Sequence, residues 1–296
     1  EGIQIVIGPI FYKNLIYLEE VKNLIFLSLS NKTRIIPKNV ITIGINANSQ
    51  VNAIINFIKK ENLNKTIVLV PRSNFEDEIK KALGESKYKF LNIYSYDVEL
   101  NKLTSQIEQI TAYSERKKKL EKIIEFVEKG IKILEQEEEL EDLQKKYILG
   151  EIDLASIERN EKKLEDLKKK YTLLDTQINE KELEDLKKKY TLGEVNFDSV
   201  LIADFGENLK SVTNSFSFSD VTAQNAKFIT LNQWFDETLL KESSANQIYF
   251  PSINLTNYSK FRETYFKNYN KYPPQISILS YDILGLIYYI DKVQES

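Results

Sequence analysis

The chain of 296 residues is long enough for one large or two medium domains, and 42% hydrophobic and 29% charged residues are typical of a globular protein. It contains no His and no Cys, which excludes catalytic triads that need either residue, zinc sites of the His/Cys type and disulfides. A net charge of −3 provides no basic field for nucleic acid, and no apolar run approaches the roughly 18 to 20 residues of a membrane-spanning helix.

The first hundred residues alternate short apolar runs with helical patterns, which predicts parallel strands covered by helices. Ser49 is predicted to cap a helix whose apolar residues recur at helical spacing. The predicted strands are 3–8, 24–30, 40–46, 66–71 and 90–96. Between them, one helix is predicted to end near residue 22, a second to begin after Ser49 and a third to span about 74–83. A fourth helix is predicted to begin near residue 101.

The same alternation resumes near residue 199. Strands are predicted at 199–206, 227–232 and 248–254, with helices to about 216, near 258–268 and over 276–293.

Residues 112–192 have a different composition, because about half of their side chains are charged against about a fifth elsewhere. The decamer LEDLKKKYTL occurs at 164–173 and again at 183–192, and LEDLQKKYIL at 140–149 is a looser copy. Apolar residues step by three and four, as in Leu120, Ile124, Val127, Ile131 and Leu134, a pattern typical of a coiled coil. This segment is therefore predicted to be an inserted unit.

Inside each decamer, acid-first pairs such as Glu165 and Lys169 stand four residues apart, which stabilises a helix. Gly150 and Gly193 mark predicted helix ends. We predict one helix of about 36 residues, roughly 54 Å long, with two shorter helices folded back along it. We call this segment, residues 112–192, the arm. It is either a solvated coiled coil left by local duplication or a surface that binds a partner, and it does not by itself indicate a function.

Outside residues 112–192, the telling phrases are VIGPIF, FLSLSN, FDSVLIADFGENL, TLNQWFDE, YFPSIN and YNKYPPQISILSYDILGLIYY, the last with Tyr269, Pro273, Ser280, Tyr281 and Asp282. With the order of the predicted elements, these phrases resemble the type I periplasmic binding fold. Within it, the chain resembles bacterial penicillin-binding-protein activator lipoproteins and branched-chain amino-acid binding proteins of ABC importers.

This resemblance implies an α/β protein with two lobes of parallel sheet flanked by helices around a cleft, and an inserted antiparallel coiled-coil arm. Lobe one would comprise 1–45 and 247–296, beginning without the first strand and helix of the family. Lobe two would comprise 46–246 and carry the arm at 112–192.

Ligands in such a fold bind at the carboxyl ends of the strands, where backbone N–H groups and helix N-termini can receive an anion. In lobe one, Tyr12, Ser28, Ser30 and Asn31 are candidate cleft residues, since relatives often bind a ligand carboxylate through hydroxyls there. Ser252 lies on a crossover strand and is a candidate cleft or hinge residue.

In lobe two, Arg72, Ser73 and Asp204 follow predicted strands. Asp204 either caps the next helix, the favoured interpretation, or pairs with a ligand ammonium; Arg72 is either a ligand contact or a surface charge. Gln233 and Trp234 follow a later strand, where Trp234 either stacks on a ligand or fills the interlobe hinge.

The resemblance implies a non-enzymatic protein of the bacterial cell envelope or periplasm, with no cofactor and no metal. The first hypothesis is regulation of a peptidoglycan synthase through protein contacts. The alternative is binding of an amino acid or similar small ligand for delivery to an ABC transporter permease, and a cytoplasmic sensor domain is a weaker third. Membrane attachment is expected only through a lipid anchor outside this chain.

Overall fold

A computed structural model describes residues 4–32, 35–170, 192, 194–233 and 247–294. The chain divides into two compact units. One comprises Glu1–Ile107 and Asn196–Ser296, and the other comprises Glu108–Val195.

The larger unit is an α/β structure built on two parallel sheets, as the resemblance implies. The first sheet has the order β1-β2-β3, with β1 Ile5–Ile7, β2 Ile25–Ser28 and β3 Val40–Thr42. The second has the order β5-β4-β6-β7, with β4 Thr66–Pro71, β5 Asn92–Tyr96, β6 Ser199–Ile202 and β7 Lys227–Thr230.

Helices follow the strands, because each parallel connection must cross over a face of the sheet. In the larger unit, they are α1 Ala47–Lys60, α2 Glu76–Glu85, α3 Leu100–Ile110, α6 Gly206–Phe218, α7 Leu255–Tyr269 and α8 Ser277–Gln294. Helix α3 ends three residues beyond Ile107, the boundary of that unit.

The second sheet carries the main hydrophobic core. All residues of β4 and β6 are buried, as expected for parallel strands covered on both faces. Val51, Ile54, Ile55 and Ile58 of α1 join this core, so the helical spacing of these residues was interpreted correctly.

Three predictions of local structure were wrong. Asn46, not Ser49, caps α1, because the Asn46 side chain accepts a hydrogen bond from the Ser49 N–H at 2.9 Å. Residues 248–254 form no strand beyond an isolated bridge between Tyr249 and Ile229, and Pro251 cannot donate a ladder hydrogen bond. The helix predicted before residue 22 is a pair of short 3₁₀ helices, Tyr12–Asn14 and Ile16–Glu20.

The smaller unit contains α4 Tyr113–Ile148 and α5 Leu154–Lys170, which contact each other. Helix α4 has 36 residues, the length that was predicted. Lys168 forms an ion pair with Glu137 across the two helices, and Val127, Ile157 and Leu164 are buried. The second complete decamer lies outside the described residues except for Leu192, so the third helix and the full coiled-coil arm remain predictions.

Within the described part of the chain, every helix is too short or too polar to cross a membrane.

Candidate functional site

A cavity of about 650 Å³ lies at the carboxyl ends of strands from both sheets of the larger unit. We call it the cleft. Residues that follow β1, β2 and β3 line it on the side of the first sheet, and residues that follow β4, β6 and β7 line it on the side of the second. The lining residues are Ile10, Phe11, Leu29, Asn31, Ile45, Ala47, Gln50, Pro71, Ser73, Phe75, Glu78, Ile79, Ala203, Asp204, Phe205, Gly206, Asn208, Leu231, Asn232, Gln233, Ile276 and Leu279.

Asp204 is a buried acidic group of the cleft. It lies two residues after β6 and is only 4% exposed. The Tyr96 hydroxyl, at the end of β5, donates a hydrogen bond to Oδ2, and the Phe205 N–H donates to Oδ1 at 2.8 Å. Phe205, not Asp204, is the N-cap residue of α6, so the favoured interpretation of Asp204 as the helix cap was wrong.

Burial raises the pKa of Asp204, while hydrogen bonds from Tyr96, Phe205 and Asn208 act in the opposite direction. The net shift is upward because desolvation disfavours the charged form more than these neutral donors favour it. Burial, followed by the nearby Asp204 carboxylate, likewise raises the pKa of Tyr96. The Tyr96 hydroxyl therefore remains a proton donor to Asp204 at neutral pH.

Gln233 is held beside Asp204 by its side-chain amide. Its Nε2 donates to the carbonyl oxygens of Asp204 at 3.1 Å and Leu231 at 3.0 Å. The Thr230 hydroxyl donates to the same Asp204 carbonyl at 2.8 Å. These bonds fix the loop after β7 to the loop after β6, so the second-sheet side of the cleft is preorganised.

Gln50 connects the ends of the two sheets. Its Nε2 donates to the Ile45 carbonyl beyond β3 at 3.3 Å, and its Oε1 accepts from the Asn232 N–H beyond β7 at 2.8 Å. Because Gln50 is in the first turns of α1, the segment that joins the sheets is itself hydrogen-bonded to both of them.

A second contact between the two sides involves Lys32, which follows β2. Its ammonium lies 5.7 Å from the ring centroid of Tyr12 and 5.1 Å from that of Phe75, which belongs to the second-sheet side. The Phe75 ring in turn meets Phe205 edge to face at 6.2 Å. Cation–π contacts of this kind are worth roughly 0.5–1 kcal/mol when exposed, so they position the rim of the cleft without locking it.

The structure places four of the ten candidate residues in the lining of the cleft: Asn31, Ser73, Asp204 and Gln233. Tyr12 instead packs beside Leu15 and Phe26 under the first sheet. Arg72 and Ser252 are exposed outside this lining. Trp234 lies outside the described residues.

Ser28 and Ser30 are not in the lining either, although a carboxylate-binding role was expected for them. The Ser28 hydroxyl donates to the Pro9 carbonyl at 2.6 Å, and the Ser30 Oγ accepts from the Lys32 N–H at 3.2 Å. The backbone of Gly44 lies so close to the end of β2 that a Cβ at this position would be 2.4 Å from the Ser30 carbonyl oxygen. The end of β2 is thus packed against its neighbours, and both hydroxyls stabilise the loop.

Sequence reasoning missed four polar lining residues: Gln50, Glu78, Asn208 and Asn232. Asn232 follows β7, whereas the other three belong to the first turns of helices rather than to the end of a strand. The residues at helix starts could have been predicted from the sequence, because the N-terminal turn of a crossover helix lies beside the strand end that precedes it. Among the described residues, no three carboxylates, histidines or cysteines converge in a way that could hold a metal ion.

Comparison with known proteins finds no matching family model and no matching curated protein. A search of solved structures finds an ABC transporter substrate-binding protein from Desulfitobacterium hafniense. The two chains share 11% sequence identity with a TM-score of 0.49, and the match covers 96% of this chain and 63% of that one. The chain thus spans less than two thirds of the length of that structure.

Proposed function

We propose that this protein is a non-enzymatic solute-binding protein that holds a small organic molecule in the cleft between its two sheets. The observation that carries the proposal is the cleft itself. Its volume of about 650 Å³ lies within the roughly 300–1,000 Å³ of small-molecule sites. It also lies at the carboxyl ends of parallel strands, where α/β proteins bind their ligands.

The chemistry of the lining supports binding rather than catalysis. Asp204, the buried acid, is engaged by Tyr96, Phe205 and Asn208, so its role is to hold charge in a fixed position. Apart from the carboxylate of Glu78 and the hydroxyl of Ser73, the remaining lining is apolar or carries amides that can orient a ligand. This combination is typical of recognition sites, in which apolar area provides affinity and a few polar groups provide specificity.

The arrangement of two sheets joined through α1 supports a function that depends on closure. A ligand that contacts both sides of the cleft favours the arrangement in which they are close, because it gains contacts only there. We propose that such closure presents the loaded protein to an ABC transporter permease, in an extracytoplasmic compartment. The described residues offer no observation that favours regulation of a peptidoglycan synthase, so that hypothesis is not part of the proposal.

The test is a thermal-melting screen of the protein against amino acids, organic amines, short peptides and sugars. A solute that binds only the folded state, present at 100 times its dissociation constant, adds about 2.7 kcal/mol to stability. We expect at least one class to raise the melting temperature.

Ser73→Trp provides the site-specific arm of this test, because Ser73 is an exposed residue of the cleft lining and the larger side chain occupies cleft volume. Ser105→Trp on the exposed side of α3 is the matched control. The proposal fails if no class shifts the melting temperature, or if Ser73→Trp binds a hit as tightly as Ser105→Trp does.

A further inference from the structure

The second-sheet side of the cleft carries two carboxylates. Asp204 is buried and receives hydrogen bonds from neutral groups: the Tyr96 hydroxyl, the Phe205 N–H and the Asn208 side chain. Glu78, in the first turn of α2, is half-buried and lines the same cavity. A buried carboxylate surrounded by neutral donors is stabilised most by a cation, because only an opposite charge repays its desolvation.

Several features that could receive an anionic ligand group are engaged or lie outside the cleft. The Ser28 hydroxyl donates to the Pro9 carbonyl, and neither Ser28 nor Ser30 lines the cleft. The N-terminus of α6, which attracts negative charge through the helix dipole, has Asp204 before it and Glu207 in its first turn. Among the described lining residues there is neither Lys nor Arg.

The opposite side of the cleft is mostly apolar. We call it the apolar wall, and it consists of Ile10, Phe11, Leu29, Ile276 and Leu279. Leu29, Ile276 and Leu279 belong to one hydrophobic cluster in which the start of α8 packs against the first sheet. Phe11 is 64% exposed, so a ligand that covered it would remove apolar surface from water. The cleft therefore offers negative charge on one side and apolar surface on the other.

We propose that the ligand is an organic amine with an apolar body and without a carboxylate, its ammonium held by Asp204 and Glu78 and its body lying on the apolar wall. This inference rests on the proposed function and narrows its substrate class. It differs from the amino-acid-like ligand that the sequence resemblance implies, because among the described lining residues the carboxylate of an amino acid would meet two acids and neither Lys nor Arg.

The test uses four probes with one aromatic body: 2-phenylethylamine, phenylalanine, 2-phenylethanol and 3-phenylpropionate, each titrated calorimetrically at pH 7. The amine is expected to bind at least about tenfold more tightly than the other three, since hydrogen bonds to charged groups carry that much discrimination or more. Its affinity is also expected to fall with rising ionic strength, because the attraction is electrostatic.

Two variants assign the binding to the two acids. Glu78→Gln is expected to weaken 2-phenylethylamine about tenfold, and Asp204→Asn more, while neither changes the weak binding of 2-phenylethanol. Glu263→Gln, an exposed acid of α7 outside the cleft, is the matched control and leaves all four affinities unchanged. Because Asp204 is buried and its variant can fail to fold, Glu78→Gln carries the test by itself.

The outcomes separate the two proposals. Phenylalanine or 3-phenylpropionate binding as tightly as the amine overturns the substrate class and leaves solute binding intact. If the amine does not bind but a sugar or peptide from the melting screen does, the class is again wrong and the function stands. If no probe and no solute of the screen binds, both proposals fail.

Discussion

The two sheets of the larger unit differ in how deeply their strands are buried, although both sheets are parallel and both supply strand ends to one cleft. In the second sheet, β4 and β6 are buried along their whole length, and α1 and α2 join them in one large hydrophobic cluster. In the first sheet, β1 has no fully buried residue. Ile5, Ile25 and Ile41 of that sheet are between 41% and 55% exposed.

The sides of the cleft differ in the same way. The second-sheet side holds the buried Asp204 in a network with Tyr96, Thr230 and Gln233, and that network needs a rigid support. The apolar wall makes weaker geometric demands, because apolar contacts are not directional. In the proposed function, the second sheet would hold charge in place, whereas the first sheet would supply an apolar surface for the body of a ligand.

The largest expected effect comes from comparing one isoleucine in each of the two sheets. Ile67 in β4 is 1% exposed and Ile25 in β2 is 46% exposed. We expect Ile67→Ala to lower the free energy of unfolding by about 2–5 kcal/mol, because it leaves a cavity in a close-packed core. Ile25→Ala should cost less than about 1 kcal/mol, and urea denaturation of both variants measures the contrast. Equal losses would show that the two sheets do not differ in this way.

A smaller effect is expected from removing one donor of the Asp204 network. Tyr96→Phe takes away the hydroxyl that donates to Oδ2, which leaves a buried carboxylate with one partner fewer and should cost about 1–3 kcal/mol. The pKa of Asp204 should also rise further, since the Tyr96 hydrogen bond lowers it.

The control is Tyr94→Phe in the same strand, at a residue that is only partly buried. Urea denaturation is expected to place this control within about 0.5 kcal/mol of the original protein. If the Tyr96→Phe protein is as stable as the Tyr94→Phe protein, the hydrogen bond from Tyr96 to Asp204 does not stabilise the fold.

The sequence predicted the second sheet better because a central strand, β4, is a mostly apolar run that is buried along its whole length. The run TIVLVP forms β4 with the predicted bounds, and the last residue of β5 is the one predicted. The first sheet was predicted less well, since its strands are three or four residues long and the chain between β1 and β2 forms only 3₁₀ turns. Short strands contain too few residues for alternation to define where they end.

The site was predictable only in position. Strand ends pointed to Asp204, Ser73, Asn31 and Gln233, which line the cleft. The sequence could not show that the Ser28 hydroxyl is taken by a carbonyl 19 residues away, or that Tyr96, 108 residues before Asp204, donates to it. Such partners are chosen by the tertiary fold, and no local pattern encodes them.

The last expected effect concerns pH. Since burial raises the pKa of Asp204 above that of the unfolded chain, the folded state binds more protons between those two values. The contribution of Asp204 to the free energy of unfolding is therefore lost as pH rises through its raised pKa. Carboxylates such as Glu61, whose pKa is lowered chiefly by a hydrogen bond from Lys227, act in the opposite direction.

A difference measurement isolates Asp204 from those opposing groups. We expect the free energy of unfolding of Asp204→Asn, relative to the original protein, to increase as pH is raised from 4 to 7, because only the original carboxylate must ionise in a buried site. Urea denaturation at four pH values provides the curve. A difference that stays constant with pH would mean that Asp204 titrates in the fold as it does in the unfolded chain, and burial would then not raise the pKa of this carboxyl.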